Sequence, residues 1–151
     1  FSSDTTPYVV KIFRGADKAY MTLLQIRQEL GIHNRFLPKI YSVVIYRQLD
    51  IDGRLEKDPN YHTAVVKMEK LKHGRGRADF SKWTKFVRRI AGHVECNNPF
   101  NVNDPEFHDA VALIRLAYEE ADKIDRSTVY DIHSGNIMLR GSQIVFTDPI
   151  A

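Results

Sequence analysis

The chain has 151 residues, 43% of them apolar, and a formal net charge of +3. That suits one domain, or two small lobes around a cleft, and excludes a wholly disordered chain. One cysteine, Cys96, leaves no internal disulfide framework and fits a reducing compartment. No run approaches the ~18 apolar residues of a membrane span, and no signal-peptide pattern opens the chain.

Phe1 to Pro7 reads as a polar loop, and Tyr8 to Phe13 as a strand with Lys11 at its middle. From Ala16 to Leu30 the pattern is helical, with Ala19, Leu23, Ile26 and Leu30 on one face and Gly31 as the stop. Strands are expected over 40–49 and 61–68, joined by the turn Asp50 to Gly53 and a polar loop to Asn60. The first 71 residues thus form a small antiparallel sheet with one helix.

His73 to Arg77 is a basic, glycine-broken hinge. Asp79 can cap a helix running to about Glu95, with Trp83, Phe86, Val87 and Ile90 on its buried side. Nine lysines and arginines lie between Lys67 and Arg89, against Glu69 and Asp79. Such a run reads first as a solvated face and second as a footprint for an acidic partner, direct nucleic-acid binding being disfavoured. After a loop at 97–103, Asp104-Pro105 opens a helix to roughly Asp125, with Phe107, Val111, Ile114, Leu116, Tyr118 and Ala121 as its apolar contacts. His33, His62, His73, His93 and His108 show no metal-ligand spacing.

The chemistry concentrates in the last stretch, Val129 to Pro149. Asp131 and Asn136 stand five positions apart in a glycine-containing loop. Strands at 137–139 and 143–147, joined by the turn Arg140-Gly141-Ser142, lead to Asp148 before Pro149. That spacing sets three oxygen-bearing side chains at one end of a hairpin. Magnesium needs such hard ligands, takes few from the protein and bridges substrate phosphates. In a phosphoryl-transfer site Asp131 would be the base, Asn136 and Asp148 the metal holders, and Lys11 the counter-charge to the nucleotide phosphates. The acid that holds Lys11 is left open among Glu29, the Gln25 position and Asp17. His133 is expected to bond the loop backbone or the metal acid.

Asp131-Ile-His-Ser-Gly-Asn136 resembles the catalytic loop of protein kinases, and more closely the Asp-x-His-x-Gly-Asn form of aminoglycoside and choline phosphotransferases. The tail from Tyr130 to Pro149 is similar to the early serine/threonine protein kinases of T-odd podophages. The resemblance implies an α+β, protein-kinase-like two-lobed fold. Its N-lobe, 1–71, would be a sheet with one helix; a truncated C-lobe, 72–151, would carry helices and the catalytic hairpin. It further implies ATP and magnesium as cofactors, backbone contacts to adenine at Met68, Glu69 and Lys70, and serine or threonine phosphorylation of host bacterial proteins. The setting would be the cytoplasm of an infected bacterium, with RNA polymerase as a candidate partner in transcription shut-off. Thr147-Asp148-Pro149 lacks the Phe-Gly pair usual after the metal acid, and Val129-Tyr130 replaces the usual residues before the base. Two alternatives follow: a catalytically weak, kinase-shaped binding protein, and a small-molecule phosphotransferase.

Overall fold

A computed structural model describes residues 6–14, 17–49, 52–54, 62–73, 82–85, 103–133 and 135–151. It is an α+β arrangement of two small antiparallel sheets and two long helices. The first sheet comprises β1 (Tyr8–Arg14), β2 (Ile40–Arg47) and β3 (His62–Glu69), in the order β1-β3-β2. Both neighbours run antiparallel to β3, with Lys11 opposite Val66 and Val43 opposite Val66 on the other side. The central place of β3 explains its alternation: Ala64, Val66 and Met68 are buried on the face that receives a helix.

That helix is α1 (Lys18–Glu29). Asp17 caps it, its carboxylate accepting from the Tyr20 N–H at 3.2 Å. Leu30 closes it, and Gly31 follows at φ 61°, the left-handed conformation that suits glycine at a helix end. The expected apolar face is partly wrong. Ala19 and Leu23 are buried, but Tyr20, Leu24 and Arg27 complete the inner face while Leu30 is 60% exposed. The stack of Phe13 on Tyr20, with ring centroids 4.5 Å apart, turns the helix so.

The second sheet holds β4 (Lys72–His73), β5 (Ile137–Arg140) and β6 (Gln143–Phe146), in the order β4-β5-β6. His73, expected to open a hinge, instead pairs with Met138. β5 and β6 form a hairpin around Gly141, whose φ of 63° a two-residue turn demands. The long helix α2 (Pro105–Ile124) begins as its sequence says, with Asp104 accepting from the Glu106 N–H at 3.0 Å and proline in the first turn. It buries Phe107, Val111, Ile114 and Ala121 as expected, but Leu113 rather than Leu116, which is 39% exposed. α2 packs against α1.

Arg140 ties the two sheets together. It meets both carboxylate oxygens of Glu69, at the end of β3, and donates to the carbonyls of Arg35 at 2.7 Å and Leu37 at 3.0 Å. One apolar core runs through both parts, joining Val66 and Leu23 to Phe107, Ile137 and Phe146. Of the helix expected from Asp79, the described residues 82–85 are helical; Phe86, Val87, Arg88, Arg89, Ile90, His93 and Cys96 lie outside the described residues. No helix among the described residues is long and apolar enough to cross a membrane.

Candidate functional site

The hairpin and the segment before it are stitched together by backbone. Asp131 N–H donates to the Pro149 carbonyl at 2.9 Å, and Val129 and Ala151 exchange two hydrogen bonds. Thr147 N–H and its hydroxyl both reach the Asn136 carbonyl, at 2.9 and 3.1 Å. Phe146 N–H is anchored on the Phe36 carbonyl at 2.8 Å. These bonds bring the chain at 131, 136 and 148 into one corner, so the three side chains share it because their backbones are pinned.

Asn136 Nδ2 donates to Asp131 Oδ2 at 2.7 Å and to the Asp131 carbonyl at 2.8 Å. The amide nitrogen is thereby committed, which turns the side-chain oxygen away from Asp131. His133 Nε2 stands 3.5 Å from Asp131 Oδ1, and its Nδ1 accepts from the Gly135 N–H at 2.9 Å. The histidine thus bonds the loop backbone, one of its two expected roles. It also explains the glycine: a Cβ at 135 would stand 2.6 Å from His133 Cε1, closer than real contacts allow.

From the first sheet Lys11 reaches across to Asp148, Nζ to Oδ2 at 3.8 Å. Asp148 Oδ1 is buried with no hydrogen-bond partner among the described residues. Burial, reinforced by the Asp17 and Asp131 carboxylates and opposed by Lys11 and His133, pushes the Asp148 carboxyl up to about 6. Burial likewise raises Asp17, against its bond from Tyr20 N–H and the pull of Lys11. Among the described residues, Asp17, Asp131 and Asp148 thus act on one another, with Lys11 opposing Asp17 and Asp148 and His133 beside Asp131, an excess of negative charge.

That excess and the orphaned Asp148 oxygen suit a divalent cation. Among the described residues no group of three His, Cys, Asp or Glu side chains converges as a ready-made cage. Magnesium does not require one, since it keeps waters and phosphate oxygens and takes one or two protein ligands. Asp148, and Asn136 bonded through its carbonyl to the neighbouring Thr147, would be the residues to hold the ion. The described cavities, of about 260, 230 and 450 Å³, flank α1 and β2 and are not lined by these acids.

The expected acid partners of Lys11 fare differently. Gln25 and Glu29 bond each other at 2.8 Å on the exposed side of α1. Asp17 is close enough to act on Lys11, at the N-terminus of the same helix. Met68, Glu69 and Lys70 sit at the end of β3, but two of their backbone donors are committed: Glu69 N–H to the Lys39 carbonyl and Lys70 N–H to that of Pro7, both at 3.0 Å. The Glu69 carboxylate is held below its usual range, because Arg140 and the Lys39 N–H outweigh its burial. Sequence reasoning did not foresee the aromatic backing of Lys11, whose ammonium lies 5.6 and 5.5 Å from the Phe13 and Tyr20 rings. The signal available was weak, a tyrosine one turn beyond a capping acid. No protein-family model and no curated protein sequence matches the chain.

Proposed function

We propose that the chain is a magnesium-dependent phosphotransferase of protein-kinase-like, two-lobed build, moving the terminal phosphoryl group of ATP to serine or threonine. The reading is supported above all by the meeting of Lys11 with Asp148 beside the Asp131–Asn136 pair, 137 positions apart in the chain. A lysine from one sheet and a trio of oxygen donors from the other is the division of labour that phosphoryl transfer uses.

In this reading magnesium, when bound, neutralises charge on the nucleotide phosphates. Asp148, with its unpartnered oxygen, and Asn136, with its side-chain oxygen, would hold it. Lys11, which stands at Asp148, would supply the ammonium that faces the phosphates. Asp131 keeps Oδ2 on Asn136 and aims Oδ1 at the acceptor hydroxyl, whose proton it receives. His133 steadies that carboxylate from the loop side. Host bacterial proteins, RNA polymerase among them, are the proposed substrates, in the cytoplasm of an infected cell. The test is phosphate transfer from labelled ATP to bacterial lysate. Wild type should label proteins in a magnesium-dependent manner, and Asp131→Asn should lose at least about 10²-fold. Equal labelling by the variant sinks the proposal.

A second reading, a kinase-shaped binding protein without turnover, is favoured by the committed backbone donors at Glu69 and Lys70, which leave adenine fewer groups to contact. It predicts inhibition of a host enzyme that survives Asp148→Ala and is lost on charge reversal at Arg88 and Arg89.

A further inference from the structure

Arg27, in the last turn of α1, is 8% exposed, yet its guanidinium is poorly satisfied. Nη2 donates to the Pro38 carbonyl at 2.8 Å, while Nε is buried with no hydrogen-bond partner among the described residues. Glu69 acts on it from a distance, but spends its carboxylate on Arg140 and the Lys39 N–H. A guanidinium carries five N–H donors and cannot shed its charge, so burying it without an anionic acceptor is costly.

Arg27 also stands where two cavities meet. Those of about 260 and 450 Å³ share Arg27, His33, Ile40 and Tyr41 as walls. The smaller adds the apolar side chains of Leu24, Ile32 and Val43; the larger adds three cations, Arg35, Lys39 and Arg140, against Glu106. Arg35 is paired with Asp104 and Glu106, and Arg140 with Glu69. Arg27 and Lys39 close no such pair among the described residues, which leaves them as the charges for a ligand. A β-bulge brings Tyr41 to the shared wall: Ile40 pairs with Met68 and Ser42 with Lys67, so Tyr41 is the extra residue of β2.

We propose that this double cavity between α1 and β2 binds a small phosphomonoester. The phosphoryl oxygens take the uncommitted N–H groups of Arg27 and the Lys39 ammonium, and an apolar substituent fills the smaller cavity over Leu24, Ile32 and Val43. A tetrahedral oxyanion suits the pair better than a carboxylate does. Its three terminal oxygens can meet the planar fork of Arg27 and a second cation from another direction. Lys11, Asp131, Asn136 and Asp148 line neither cavity, so the site is separate from the one described above and independent of the phosphoryl-transfer reading.

The probes are phenyl phosphate, inorganic phosphate and benzoate, titrated calorimetrically at constant ionic strength into wild type, Arg27→Met, Lys39→Ala and Lys11→Met. Wild type should bind phenyl phosphate most tightly, because it alone fills both cavities. Arg27→Met keeps the stem and removes the fork, and should weaken phenyl phosphate at least about tenfold, the worth of a charge-assisted hydrogen bond. Lys39→Ala, at an exposed position, should weaken it about threefold. Lys11→Met should bind as wild type does. Urea midpoints supply the readout that a merely structural Arg27 would move the other way: an apolar side chain of like volume in place of an unsatisfied buried cation should leave the midpoint unchanged or raise it. Phenyl phosphate that fails to bind wild type, binds Arg27→Met equally well, or is lost with Lys11→Met overturns the proposal. Benzoate bound as tightly as phenyl phosphate overturns the ligand class. Should Arg27→Met fail to fold, Lys39→Ala decides, and unchanged phenyl phosphate affinity there overturns the site.

Discussion

Asp148 is held against its own stability, and Asp148→Asn should therefore produce a firmer protein. Its carboxyl stands at about 6 in the fold against an ordinary 3.8, first through burial and then through the Asp17 and Asp131 carboxylates. Between those two values the folded chain keeps a proton that the unfolded chain releases. Stability from this group is thus greatest in acid and falls as pH rises through the window, reaching its minimum above 6. About two pH units at 1.36 kcal/mol each set a ceiling of about 3 kcal/mol. The side chain is 27% exposed, and the variant costs Lys11 its ion pair, so about 1–2 kcal/mol should remain after screening. For a domain of this size that raises the unfolding midpoint by about 3–6 °C near neutral pH. Thermal unfolding of wild type and variant from pH 4 to 8 reads the effect directly. The gap should widen as pH rises from about 4 to 6, hold its full size above 6, and close toward pH 4. A variant less stable than wild type at neutral pH, or a gap that ignores pH, refutes the reasoning.

Arg140→Ala should cost about 3–5 kcal/mol in urea unfolding at neutral pH, because it strands the Glu69 carboxylate, 9% exposed, and leaves the Arg35 and Leu37 carbonyls without their donor. Glu69 is held below its usual range, so its pairing stabilises above the unfolded value near 4.5 and is lost as pH falls through the lower folded one; the deficit should shrink in acid. Gly135→Ala should displace His133 and break its bond to the 135 N–H, seen as a shifted His133 side-chain resonance with the core signals of Phe107 and Phe146 unmoved.

The parts of the fold that were legible are those governed by local rules. Asp104-Pro105 announced α2 because a capping acid and a proline at the first turn act within four residues. The β5–β6 hairpin was readable from its turn, and its spacing alone put Asp131, Asn136 and Asp148 at one end. What escaped depends on tertiary choice. Periodicity placed Ile26 and Leu30 inward; Ile26 does pack against the core, but Leu30 is exposed, and Tyr20, stacked on Phe13, is buried with Leu24 and Arg27 instead. β4 is two residues long and exists because β5 offers an edge, a signal no local pattern of Lys72-His73 carries. Arg140 read as a turn residue; its pairing with Glu69 spans 71 positions and belongs to the packing of two sheets.

The central claim is that Lys11, Asp131, Asn136 and Asp148 form one magnesium–nucleotide site, and a thermal-shift series addresses it most directly. ATP with magnesium should raise the wild-type midpoint well beyond ATP alone, in proportion to ligand concentration over its Kd. Lys11→Met and Asp148→Asn should each abolish the magnesium-dependent part, the second even though the unliganded variant melts higher. An identical response to ATP with and without magnesium, in wild type and both variants, would contradict the account.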